Sequence, residues 1–321
     1  MNQTRLLYPD ICKFVAIFIV TCSHCAQYIS GQTWTNFIGG TYLDIAFNMP
    51  LFMIISGWFI NTDKMRKENG LNYLSGKFKR LILPSITWYF LYIIISINMP
   101  TLGGIATFYW YLNALFVSLL ILFIFVKLIK NDIICALVSS LFVIVCPFLD
   151  IAHINFMFPY IWIGFFLRKL FDNHNPKLFV IICAVIGIVL SFYWTPDHTV
   201  YRAPFKIFSA DSRMVCMYVY RFVIGFTISS VIIYLIKTYE NSRILKPLAK
   251  YGKYSLIIYT FSFVVNGLIS RILNYFNIHT NEYVLLDFLS ILLCIAIVIA
   301  TVKLSNLCNK NKYTKLFLLG E

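Results

Sequence analysis

Acidic side chains are scarce in this chain. It holds 13 Asp and Glu among 321 residues, against 27 Lys and Arg, and charged residues of both signs make up only 12%. A soluble domain carries roughly 25%, so this scarcity excludes an ordinary water-soluble fold. No stretch is polar for long enough to form a separate soluble domain. No P-loop, Gly-rich nucleotide fingerprint or G-x-S-x-G elbow occurs, which removes the usual signals for phosphate cradles and serine hydrolases. No internal repeat is evident, which weighs against an inverted-repeat transporter. The nine cysteines lie inside apolar runs or at their ends. A disulfide framework would place them in outside loops.

What is present is apolar sequence, 60% of the chain with a mean hydropathy of +0.78. It divides into ten runs of membrane-spanning length, at 11–30, 44–61, 81–98, 106–126, 133–149, 156–171, 178–194, 214–236, 254–273 and 283–305. The expected fold is an all-α integral membrane protein, one domain over residues 1–321 with about ten transmembrane helices. The first run carries Lys13 and has no small-residue cleavage site after it, so it is expected to stay as the first span. Basic residues in short loops collect on the cytoplasmic side. Placing the N-terminus inside puts every Lys and Arg there except Arg202, Lys206, Arg213, Arg221 and Arg271. Both termini are therefore expected in the cytoplasm. The net charge of +14 is then largely topology and needs no nucleic acid to explain it.

Within the first run, Asp10, Lys13, Thr21 and His24 form a polar stripe. At 3.6 residues per turn, positions eleven apart share a face, so Lys13 and His24 stand on one side of a helix about 16 Å apart. Ionisable groups at membrane depth are costly and mark functional sites. Asp10 reads as an ion-pair partner for Lys13. His24, with an ordinary pKa near 6.5, suits a general base or an acyl carrier. The cluster Cys22-Ser23-His24-Cys25 invites a metal reading, but no second Cys/His group completes a tetrahedral site, so none is expected.

The inner loop 61–80 is the most basic in the chain, and Lys77, Lys79 and Arg80 close it just ahead of Pro84. Such a cluster suits a polyphosphate ligand and serves equally as an anchor against anionic lipid. Loop 194–213 is long and polar, and it suits equally a meeting place for a ligand from outside and a solvated connector. Arg202 lies in it. Asn48 and Arg221 are polar residues inside runs, and Arg221 needs a partner, for which Asp44 and Asp287 are candidates.

Several stretches, taken in order, resemble the acyltransferase 3 family of integral membrane acyltransferases. They are Arg5…Asp10-Ile-Cys-Lys13…His24, Phe47-Asn-Met-Pro-Leu-Phe52…Ser56-Gly57, Lys77-Phe-Lys-Arg80-Leu-Ile-Leu-Pro84, Trp110-Tyr-Leu-Asn-Ala-Leu115, Phe158-Pro-Tyr-Ile-Trp-Ile-Gly164 and Gly252-Lys-Tyr-Ser-Leu-Ile-Ile-Tyr259. The resemblance implies a multi-pass enzyme of the plasma membrane, bacterial by analogy. It would take an acyl group, usually acetyl, from cytoplasmic acyl-CoA to a hydroxyl of a cell-envelope carbohydrate or its lipid-linked precursor. His24 matches the family's histidine, Lys13 its basic partner, and Lys79 and Arg80 with Pro84 its basic motif. On this reading His24, Lys13 and Asp10 serve catalysis, Lys77, Lys79 and Arg80 bind acyl-CoA, and Asn48, Arg202 and Arg221 face the acceptor. The chain departs from the family where Lys13 replaces a common arginine and where Asn48 and Ser262 replace common histidines. A transporter or flippase for an envelope intermediate, or a catalytically silent member of the same fold, are the rival readings.

Overall fold

The computed structural model describes residues 6–32, 43–96, 101, 104, 108–146, 148–149, 151–199, 205–206, 208 and 210–321. Among them every regular element is helical. In chain order they are α1 (Tyr8–Ser30), α2 (Leu43–Trp58), the short α3 (Thr62–Lys67) and α4 (Gly70–Lys77), α5 (Leu83–Ser96), α6 (Trp110–Leu128) and α7 (Asp132–Val145). Then come α8 (Ile154–Asn173), α9 (Lys177–Ser191), α10 (Ser212–Tyr239), the short α11 (Ala249–Gly252), α12 (Ser255–Phe276) and α13 (Tyr283–Cys308). Each expected run coincides with a helix over its described residues, and among the described residues length and hydropathy together qualify six stretches to cross a membrane: Tyr8–Ser30, Gly70–Ile95, Trp110–Leu128, Ser212–Tyr239, Ser255–Phe276 and Tyr283–Cys308. Helices α2, α7 and α9 are apolar but only 16, 14 and 15 residues long. At 1.5 Å per residue they fall short of a hydrocarbon core of roughly 30 Å.

Helix α1 starts with proline in its first turn, where a missing N–H costs nothing, and stops at Gly31, whose φ of 68° favours glycine. Its N-terminal donors are satisfied from far along the chain. The N–H groups of Leu7 and Tyr8 donate to the Glu240 carboxylate at 3.2 and 2.9 Å, the charge that a helix N-terminus favours. Helices α2 and α8 touch backbone to backbone. A Cβ on Gly57 would run into the Ile161 carbonyl, and one on Gly164 into that of Ile54, a reciprocal small-residue contact of the kind that joins membrane helices. Pro50 sits inside α2 and cannot donate to Ala46. There α10 comes close through Gly225, and the Ser229 hydroxyl reaches the Phe47 carbonyl at 3.4 Å.

The basic loop folds as α3 and α4, each begun by an asparagine, Asn61 and Asn69, whose side chain accepts a first-turn N–H. Arg66 anchors it, reaching Asp132 at 2.7 Å, Asp63 at 3.0 Å and the Lys130 carbonyl at 2.7 Å, while Lys169 adds a second cation to Asp132 at 3.3 Å. Asp132 is about one-fifth exposed, so its two partners act partly shielded from water. Replacing it with alanine is expected to remove about 1–2 kcal/mol and to lower the Tm of the detergent-solubilised protein. An unchanged Tm would mean that the network only decorates the loop.

Candidate functional site: a basic cavity beneath His24

The basic segments meet at one end of the bundle. Lys127 donates to the carbonyls of Arg66 and Glu68 at 2.6 and 2.7 Å, Arg168 to that of Trp58 at 3.1 Å, and Lys237 pairs with Asp172 at 2.9 Å while lying over the Tyr8 ring. The bundle also holds a cavity of about 840 Å³, at the upper end of the range for small-molecule and cofactor pockets. Its mouth carries Lys13, Lys64, Lys77, Arg80 and Lys253, against Asp10, Glu68 and Glu321. Four helices lead inward from that mouth, and the deepest lining residue of each is Ile17 on α1, Met49 on α2, Tyr111 on α6 and Tyr259 on α12. The chamber thus passes from cationic to apolar and aromatic over about 10–16 Å of helix rise.

Local backbone geometry decides which cations face inward. Residues Phe78–Ile82 form one π-helical turn between α4 and α5, a widened turn frequent at functional sites. Lys77 and Arg80 line the cavity and Lys79 between them does not. Gly252 is equally specific, because a Cβ there would run into the Asp10 carbonyl. Close seating of α11 on α1 carries Lys253 and Tyr254 to the cavity wall. The C-terminal turn completes the mouth. Trp88 Nε1 donates to the Leu318 carbonyl at 3.0 Å, Gly320 packs at φ 71° against the Arg80 backbone, and Glu321 lines the opening.

Asp10 and Lys13 form the expected ion pair, at 3.6 Å, and both line the cavity. His24 does not line it. On the same face of α1 it stands about 10 Å of helix rise beyond Ile17, with Nδ1 3.2 Å from Gln27 Oε1. An amide oxygen accepts, so this contact suits the tautomer with the hydrogen on Nδ1, which leaves Nε2 as the acceptor. His24, Gln27 and Tyr28 are half-buried on a strip continuous with exposed Gly31 and Gln32. Between His24 and the cavity stand aromatic rings. Phe263 lies 4.7 Å from the imidazole, and its ring is 5.5 Å from both Tyr259 and Tyr109. Tyr109 is tied to α12 through the Thr260 carbonyl at 2.8 Å. The polar stripe read from the sequence is therefore interrupted halfway.

The remaining expected residues lie apart from this axis. Asn48 is buried, its side-chain oxygen accepting the Met49 N–H at 2.6 Å, and Ser262 is bonded to the Tyr259 carbonyl at 2.9 Å. Arg202 lies outside the described residues. Arg221 is buried and holds the loop ahead of α10, donating to the carbonyls of His198 and Asp197. Asp44 receives the Ser23 hydroxyl. Sequence reasoning missed Gln27, although positions three apart on a helix are neighbours. It also missed Phe263, whose place beside His24 no local signal reveals.

Ahead of α10, His198 accepts the Thr195 N–H at 3.0 Å through Nδ1, and its ring lies 4.9 Å from that of Tyr220. Burial, and then the Arg221 charge, hold its pKa below the ordinary value. As pH falls through about 6.5 the unfolded chain takes up this proton before the folded one does, so stability is full above that pH and declines below it. The Tm is expected to drop between pH 7.5 and 5, and His198→Gln to flatten part of that slope. An identical slope in the variant would rule out His198 as a contributor.

The chain matches the model of an acyltransferase domain over residues 6–303, which takes in every helix from α1 to α12 and most of α13. No curated protein and no solved structure matches it. The long apolar helices and this match make the chain a multi-pass membrane protein, for which the family implies acyltransferase activity. With the match running from the first turn of α1 across the cavity wall to the end of the bundle, the chain belongs to the acyltransferase 3 family.

Proposed function

We propose that this protein moves an acyl group, acetyl above all, from acyl-CoA in the basic cavity to a hydroxyl of a cell-envelope carbohydrate or its lipid-linked precursor. One observation carries the reading. The cavity is cationic at its mouth and apolar at its depth, and its axis along α1 points at His24. Lys13, Lys77, Arg80 and Lys253 suit the phosphates of CoA, and the surfaces of Ile17, Met49, Tyr111 and Tyr259 suit its pantetheine arm and acyl end. In this reading ten helices cross a bacterial plasma membrane, both termini are cytoplasmic, and the mouth opens where acyl-CoA is made.

His24 then acts from the far side. Its Nε2 takes the proton of the acceptor hydroxyl as that oxygen attacks the thioester carbonyl, and returns it to the departing sulfur when the C–S bond breaks; carrying the acyl group on the imidazole for part of the cycle is the covalent version. Asp10 holds Lys13 in place and takes no proton. The test uses purified protein in nanodiscs with acetyl-CoA and an envelope glycan as acceptor, following free thiol, together with proton NMR of surface polysaccharide from cells lacking the gene. Thiol release and lost O-acetyl signals are expected. Proteoliposomes that move a lipid-linked sugar without acyl-CoA, with glycan spectra unchanged, would replace this reading by a transporter.

A further inference from the structure

The cavity and His24 belong to the same helix face but do not meet. The wall between them is aromatic: Tyr259 closes the cavity, Phe263 covers His24, and Tyr109 packs against both at 5.7 and 5.5 Å. Tyr109 and Tyr259 are 1% and 4% exposed, whereas Phe263 is half-buried beside the half-buried imidazole. Tyr109 is bonded to the Thr260 carbonyl, whereas Phe263 has no hydroxyl and is held by ring contacts with His24, Phe108, Tyr109 and Tyr259. The wall therefore has one hydrogen-bonded ring, Tyr109, and one ring on the His24 side, Phe263, held by packing.

We propose that Phe263 determines the choice of acceptor, keeping water away from the thioester until an envelope hydroxyl displaces its ring. This rests on the reading of His24 and the cavity given above. Any base that can activate a sugar hydroxyl can also activate water. Water attacks the thioester carbonyl, its proton passes through His24 to the sulfur as the C–S bond breaks, and the products are acetate and free CoA. A site entered from two sides loses donor in this way unless the sides are sealed from each other, and excluding water from such sites is a recognised role of closure. A ring in contact with the imidazole seals best at the point of reaction. It leaves the cation-lined mouth, and so the affinity for acyl-CoA, unaltered.

The test is hydrolysis of acetyl-CoA by the full chain in nanodiscs with no acceptor added. Phe263→Ala is expected to raise the rate of thiol release by about tenfold or more over the unaltered protein, with KM for acetyl-CoA unchanged. Phe263→Leu, which refills most of the space, should fall between them, and adding His24→Ala to Phe263→Ala should return the rate to background. Equal hydrolysis by Phe263→Ala and the unaltered protein, both still binding acetyl-CoA, would overturn the proposal and leave the transferase reading standing. Failure of either protein to bind acetyl-CoA in calorimetry would overturn both. A Phe263→Leu variant that leaks as fast as Phe263→Ala would mean that general loosening of the helices is the cause, and would also overturn it.

Discussion

Replacing His24 with alanine is expected to lower acyl transfer by about 10²–10⁴-fold, the usual contribution of a positioned general base, with little change in KM for acyl-CoA. The split follows from geometry. The imidazole lies beyond the last cavity-lining residue of α1 and so contributes nothing to holding the donor. Among the described residues it packs on the Phe263 ring and is bonded to the Gln27 amide, so its removal should cost about 1 kcal/mol of stability. A residue retained only for packing behaves in the opposite way, losing Tm and keeping turnover. Measuring kcat, KM and Tm on the same preparation separates the two, and full activity in the variant would end the assignment.

The second large effect is expected at the mouth. Converting Lys77 and Arg80 together to alanine should raise KM for acyl-CoA by about 10²–10⁴-fold, since each charge-assisted phosphate contact contributes roughly 1.5–3 kcal/mol, while kcat at saturation changes little. Lys79 supplies the comparison. It sits between the two in sequence but does not line the cavity, so Lys79→Ala should shift KM by about threefold at most, through the weaker, screened attraction of a surface charge. A loop that serves only as a membrane anchor would make all three lysine and arginine positions equivalent. Equal KM effects at Lys77, Lys79 and Arg80 would therefore reject a specific phosphate site.

The three basic positions also show why sequence and structure read the motif differently. Composition reveals that Lys77, Lys79 and Arg80 concentrate charge ahead of a helix. It is silent on the π-helical turn at Phe78–Ile82, because a one-residue widening depends on how α4 and α5 are held by their neighbours. The Gly252 motif is similar. Its spacing is visible in the chain, but its purpose appears only when the Asp10 carbonyl is found where a Cβ would be.

The sequence by itself determined the helical membrane class, the runs that become helices, the gathering of basic segments and the Asp10–Lys13 pair on one face of α1. These are consequences of local hydropathy and of the 3.6-residue period, which act on neighbours along the chain. Only the tertiary structure decided that the face opens into a cavity at one end, that the cavity reaches Tyr259 on α12, and that the Phe263 ring packs between Tyr259 and His24. It also decided that Glu240, far along the chain, caps the helix on which that histidine stands. Those outcomes depend on contacts between residues more than two hundred positions apart, whose energies arise from packing and desolvation at the meeting point and leave no periodic trace in either segment.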